Sequence, residues 1–288
     1  MSVNAKLPLV LAVFAGSPMA LRAGGPAQGQ PKKIVFIAGE NGHHPNQPTI
    51  RLLRACLDAS PDAEGVSTEY HFVWPQQPST LDDSAAIVVM SEGPNKKGME
   101  HPIFQGDRTG SMDKLMRKGV GLVCIHYTLY ATQEIQAPKL LAWLGAYYDF
   151  QGYGSSHGVS RKPLACTPAT PEHPICRGWQ RFSVAQNEFY HDLRFASGGG
   201  RITPILTAPF RTEKPDGQVV AWAFERADGG RAFGFGGGHF YENLAVDPLR
   251  TMLLNAILWV AKVDVPPRGV RSVIPAELAP ASKPRAPH

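Results

Sequence analysis

His126 stands at the end of an unbroken apolar run, Val120 to Ile125, in the stretch GVGLVCIHYTLYA. Compact residues, Cys124 and Thr128, flank it two places to either side. A strand that stops abruptly at one polar side chain is the pattern of a nucleophile-elbow turn, which holds that side chain above the carboxyl end of a central strand. Other polar groups follow apolar runs in the same way. His43 and His44 come after Lys32 to Ala38, Glu92 after Ala85 to Met90, and His239 after Arg231 to Gly236. In a parallel sheet such loops share one edge, where ligands bind, so these residues are expected to converge although far apart in sequence. An imidazole with an unperturbed pKa of about 6.5 can take or give a proton near neutrality. The same ring can also ligate a metal.

The elements that must position these groups read as follows. Residues 32–38 form a basic-then-apolar first strand of the buried parallel type. Residues 49–59 carry Ile50, Leu53 and Leu57 at helical spacing. Strands follow at 67–73 and 85–90, a helix at 111–118, the strand ending at His126, and further helix at 139–144. Alternation of strand and helix at this pitch predicts a doubly wound parallel sheet with right-handed crossovers. Beyond the aromatic and glycine-rich loop 145–157 the pattern changes to short strands at 159–165, 182–185 and 202–207. Two more, 219–225 and 231–236, are joined around Asp228-Gly229-Gly230 as a hairpin. Asp247-Pro248 opens a last helix, through Met252, Leu253, Ile257 and Leu258.

Composition narrows the partners. The formal net charge is +5, but two of those charges lie in the first 23 residues and three in the tail from Lys262, so residues 24–261 are neutral. A neutral body offers no electrostatic footprint for nucleic acid. Lys6, the apolar LPLVLAVFAG and the small-residue site near Ala23 make residues 1–23 a secretory signal peptide, which implies an exported (periplasmic or extracellular) protein without a stable membrane span. Residues 24–31 read as a linker, 32–263 as the folded domain, and the Pro/Ala-rich 264–288 as a disordered tail. Cys56 and Cys124 read as buried small hydrophobes. Cys166 and Cys176 bracket a Pro-rich loop short enough for a disulfide to close in an oxidising compartment.

Five motifs in fixed order carry a family resemblance: GVGLVCIH; HPICRGW at 173–179; NEFY at 187–190; VVAW at 219–222; and GGRAFGFGGGH followed by a helix ending in AILWVA. The chain resembles the ThuA-like (trehalose utilisation) family of the class I glutamine amidotransferase-like superfamily, over about 33–262. The resemblance implies a flavodoxin-like α/β fold with β-hairpin additions in the second half, and it places Glu188 and His157 near the histidine edge. It departs at Asn187, where Asp is commoner, at Tyr127, where a small residue is, and at the doubled His43-His44. His126 occupies the elbow that holds a Cys nucleophile in amidotransferase relatives, so thiolate glutaminase chemistry is not expected. His126, His239 and Glu188 are then the expected catalytic residues. His43, His44, Glu92, Tyr127, His157, Tyr190 and Trp222 are expected to bind substrate, the aromatic rings, with Tyr153, stacking on a sugar. The expected activity is acid/base chemistry on a trehalose-type disaccharide or keto-glycoside. Two alternatives stay open: a non-catalytic sugar-binding module, and a metal-dependent hydrolase using Zn²⁺ on His43 or His44, His126 and His239 with Glu188. His71, His101 and His173 read as structural or surface residues. The expected partner is a small carbohydrate, with room for a homo-oligomer.

Overall fold

A run that is apolar at every position needs cover on both faces, and the first strand receives it. The computed structural model describes Met1 and residues 30–93, 101–132, 134–149, 156–160, 162–209 and 217–280, with the backbone alone at 78 and 156–159. The elements are β1 (Lys32–Ala38), α1 (Asn46–Asp58), β2 (Val66–Phe72), β3 (Ser84–Met90), α2 (Arg108–Arg117), β4 (Gly121–Ile125), α3 (Gln136–Leu144), β5 (Ala146–Tyr147), β6 (Ser156–Ser160), β7 (Leu164–Pro168), β8 (Phe182–Val184), β9 (Asn187–His191), β10 (Arg194–Phe195), β11 (Gly200–Ala208), β12 (Gln218–Arg226), β13 (Arg231–Phe235) and α4 (Asp247–Val260). On one face Ile34, Phe36 and Ala38 join a core with Ile50 and Leu53 of α1 and Met252, Leu253 and Ile257 of α4. On the other, Val35 and Ile37 join Met112 and Leu115 of α2 and Trp143 and Leu144 of α3. Two helices on each face of the sheet is the doubly wound arrangement expected.

The main sheet has nine strands in the order β2-β1-β3-β4-β13-β12-β11-β7-β8. The first five are mutually parallel, and β12, β11, β7 and β8 follow, each antiparallel to the strand before it. The hairpin at Asp228-Gly229-Gly230 therefore does more than connect two strands. It returns the chain so that β13 docks in parallel on β4, delivering the loop after β13 to the edge where β1, β3 and β4 end. Arg226, at the end of β12, is buried and donates to the carbonyls of Val120, at 2.7 Å, and of Met116 and Trp143. It thereby pins the turn before β4 and the end of α3 against the hairpin.

Four expectations change. The single strand at 159–165 is two strands, β6 and β7, in different sheets, with Pro163 between them. Residues 187–191 form β9, which pairs with β6 outside the main sheet. Cys166 and Cys176 are free and buried, as are the other two cysteines; both belong to the apolar core under α4, where a small side chain packs without a cross-link. The tail, expected to be disordered, is ordered through 264–280, while 281–288 lie outside the described residues. Val265 and Val270 are buried against α4. Backbone groups of the tail are held too: Val270 N–H donates to Asn255, Ser60 to the Arg271 carbonyl, and Tyr241 to the Leu278 carbonyl. A Pro- and Ala-rich segment needs few apolar residues to order when side chains of the folded body supply its hydrogen bonds. The signal peptide and linker, residues 1–31, lie almost wholly outside the described residues. No helix among the described residues is long and apolar enough to cross a membrane.

Candidate active site

β4 ends in an elbow. His126 has φ +55°, a left-handed conformation that costs a residue with a Cβ on the order of 1 kcal/mol or more. It opens a 3-10 turn, His126–Leu129. Two contacts fix the turn: the Ser91 N–H at the end of β3 donates to Thr128 Oγ1 at 2.8 Å, and buried His101 donates from Nε2 to the Thr128 carbonyl at 2.8 Å. The loop after β13 closes over the elbow through Gly238, at φ +115°, where a Cβ would stand 3.0 Å from Ile125 Cγ2 and 3.6 Å from His126 Cβ. His126 itself is completely covered. Its Nδ1 lies 3.0 Å from the Gly236 carbonyl, which can only accept, so that nitrogen carries the proton. The lone pair is left on Nε2, which the Tyr190 hydroxyl approaches at 3.3 Å, the two rings stacked with centroids 4.4 Å apart. Burial, then the neighbouring His44, hold the imidazole well below its ordinary pKa, against the Gly236 hydrogen bond.

The second wall comes from the loop after β1. His44 Nδ1 is 2.9 Å from each oxygen of Glu92, which follows β3. The same carboxylate accepts from the His44 N–H and from the Asn46 side-chain amide, each at 3.1 Å. Burial opposes ionisation of Glu92, yet the hydrogen bonds and charge of His44 outweigh it and hold the carboxyl below its usual range. Gly42 permits the approach, since a Cβ there would meet the Glu92 side chain at 3.1 Å. The carboxylate thus fixes the ring and leaves Nε2 of His44 as the nitrogen able to act, as in a His–carboxylate dyad.

The mouth of the site is His239, after β13, with Glu188 of β9. Glu188 Oε2 and His239 Nδ1 are 3.0 Å apart, and that buried nitrogen makes no hydrogen bond. His43 is exposed beside them. The four imidazoles form one cluster: ring centroids are 4.6 Å apart for His44 and His126, 5.0 Å for His43 and His44, 5.0 Å for His43 and His239, and 5.1 Å for His44 and His239. Burial and then the crowding of His44 and His239 lower the pKa of His43, against the pull of Glu188 and Glu92. Ligand atoms of two triads, His43/His44/His239 and His126/Glu188/His239, lie within 4.8 Å of one another.

The structure thus gathers His43, His44, Glu92, His126, Tyr127, Glu188, Tyr190 and His239 at one sheet edge. Tyr127 packs against His44 at 5.2 Å between centroids. Trp222 does not join them. It sits in mid-β12, fully buried, its indole N–H donating to the Leu144 carbonyl at 2.8 Å; a residue inside a central strand has no access to the edge. The side chain of His157 and the whole of Tyr153 lie outside the described residues, though the His157 backbone pairs with Tyr190. Cys124 is buried and its thiol pushed far above the usual range, so no thiolate stands near the elbow. Two contributors went unread in the sequence. Asn46, which holds Glu92, lies two places beyond His44, at the first position of α1. Tyr148, stacked on Tyr190 with centroids 4.0 Å apart, lies in the aromatic loop GAYYDF, whose composition was the available signal.

The family model described as ThuA, trehalose utilisation, matches residues 33–260. Among solved structures, a ThuA-like protein from Parabacteroides merdae aligns over 88% of this chain and 96% of its own, at 17% identity and TM-score 0.61. A ThuA-like protein from Bacteroides uniformis aligns over 86% and 97%, at 16% identity and TM-score 0.57. Agd3, a carbohydrate deacetylase, aligns over 80% of this chain but 32% of its own, at 13% identity and TM-score 0.50. Comparison with curated proteins returned no match.

Proposed function

Because the chain belongs to the ThuA, trehalose-utilisation, family, we propose that it is an exported enzyme of carbohydrate utilisation that moves protons on a disaccharide or its keto derivative. The observation that carries this reading is the pair of His–carboxylate couples side by side at the sheet edge, His44 with Glu92 at 2.9 Å and His239 with Glu188 at 3.0 Å, their rings 5.1 Å apart between centroids. Two such couples next to one another suit enolisation or β-elimination beside a ketone, where one group removes a proton and another returns one. His44, oriented by Glu92, is the base, and its Nε2 takes the proton. His239, beside it and nearer solvent, returns a proton. His126 is covered, so its role shifts from direct contact with substrate to holding the deep wall of the site with Tyr190. A family described by trehalose utilisation, and a carbohydrate deacetylase among similar folds, favour a sugar as substrate.

The test is proton exchange. Trehalose and 3-ketotrehalose are incubated with the protein in D₂O and followed by ¹H NMR. Deuterium at the carbon next to the ketone, or an unsaturated product, is the expected result. Sugar binding with neither exchange nor product would make the site a binding module instead. Export is tested separately: the mature protein, recovered from outside the cytoplasm, is expected to begin near Gly24.

A further inference from the structure

We propose that His126, Glu188 and His239 form a binding site for one divalent transition-metal ion. Three observations converge. First, their ligand atoms lie within 4.8 Å of one another although they come from the ends of β4, β9 and β13. Second, His239 Nδ1 is buried and makes no hydrogen bond while Glu188 Oε2 stands 3.0 Å away. With metal–ligand bonds of about 2.0–2.2 Å, two ligands on one ion stand about 2.9–3.5 Å apart, so this spacing is that of neighbouring ligands on a shared cation. Third, His126 gives its Nδ1 proton to the Gly236 carbonyl at 3.0 Å, the backbone contact that fixes tautomer and ring orientation in metal-ligating histidines and leaves Nε2 as the donor atom. The Tyr190 hydroxyl at 3.3 Å from that nitrogen is the contact an ion would replace.

The overlapping triad His43/His44/His239 is the weaker candidate. It contains no carboxylate to offset the ion's charge, and its outer member, His43, is exposed. Two imidazoles and one carboxylate leave coordination positions open, the arrangement of sites that also hold water or substrate, and they suit Zn²⁺, Fe²⁺ or Mn²⁺. His44, the proposed base, is not one of these ligands, whereas an ion there would engage the second His–carboxylate couple, His239 with Glu188. The inference shares the cluster with the proposed function but is read without any sugar, so either can fail alone.

The experiment uses tag-free protein dialysed against a chelator and then titrated with ZnCl₂ by calorimetry, with CoCl₂ followed by visible absorption as a second probe. One equivalent is expected to bind, with Kd about micromolar or tighter. Glu188→Gln, His239→Gln and His126→Asn are each expected to weaken binding about tenfold or more, and His43→Gln to leave it within about threefold. Asn is chosen at 126 because it tolerates the left-handed backbone there; circular dichroism checks that every variant folds. Absence of saturable binding at 100-fold excess zinc overturns the proposal. So does binding unaffected by Glu188→Gln and His239→Gln, or binding abolished by His43→Gln but not by Glu188→Gln, which would assign the ion to the other triad.

Discussion

His101 and His126 are both fully buried and both touch the 3-10 turn that follows β4, yet their surroundings differ in kind. His101 is saturated by backbone: Nε2 donates to the Thr128 carbonyl and Nδ1 accepts from the Ile103 N–H. His173 repeats one half of the pattern, its Nδ1 accepting from the Ile175 N–H. His126 has one nitrogen on a carbonyl and the other against a tyrosine hydroxyl, beside the imidazoles of His44 and His239 and the carboxylate of Glu188. A buried histidine whose two nitrogens both serve the backbone is a cap. One whose second nitrogen faces other side chains is available for chemistry. Burial alone does not separate the two classes; the accounting of partners does.

That contrast can be broken. His126→Asn is expected to lower proton exchange on the keto-sugar by about 100-fold, through loss of the wall that positions the substrate, with little change in melting temperature, whereas His101→Ala should leave the rate within a few-fold. If His101→Ala instead abolished turnover in folded protein, the division would fail. Glu92→Gln tests whether orientation of His44 matters, and a loss of about 10- to 100-fold is expected, read as kcat with KM little altered. His101→Ala should cost stability, since it orphans the Thr128 carbonyl, by about 1–3 kcal/mol in denaturant unfolding.

A smaller effect follows from pH. Burial, the larger influence at each, pushes His101 and His173 down to about 4. Unfolding frees both rings to take up protons near their ordinary value of about 6.5, so the unfolded state binds more protons between about 4 and 6.5 and stability rises with pH across that window. Melting temperature should therefore fall as pH drops from 7 toward 4, and His101→Gln should flatten the slope. An unchanged slope in that variant would remove His101 from the account. The least effect is expected at His71, a half-buried residue paired with Glu69 at 2.9 Å: His71→Gln should shift unfolding by less than about 0.5 kcal/mol.

How far the sequence could be read follows the same physics. β1, β3 and β4 were legible because strands covered on both faces must be apolar throughout, and Lys32–Ala38 matches its expected bounds to the residue. The convergence of His43, His44, Glu92, His126 and His239 was legible because parallel strands place their outgoing loops on one edge. Trp222 was misread because its motif, VVAW, does not say where along a strand an aromatic falls. β9 was missed although NEFY was noted, since its partner β6 lies outside the main sheet and its alternation is too short to register. The tail was misread because its order comes from Asn255, Ser60 and Tyr241, none of which it contains.

The left-handed turn at residue 126 has one further consequence. Its conformation is held by Ser91 and His101 at Thr128 and by the close approach of Gly238 to Ile125, and none of these depends on an imidazole at 126. The position behaves as a socket whose shape is maintained independently of what is plugged into it. Asn, Gly or Cys should fit there without disturbing the sheet, so this scaffold can exchange one reactive group for another at little structural cost, and a change of chemistry need not announce itself as a change of fold.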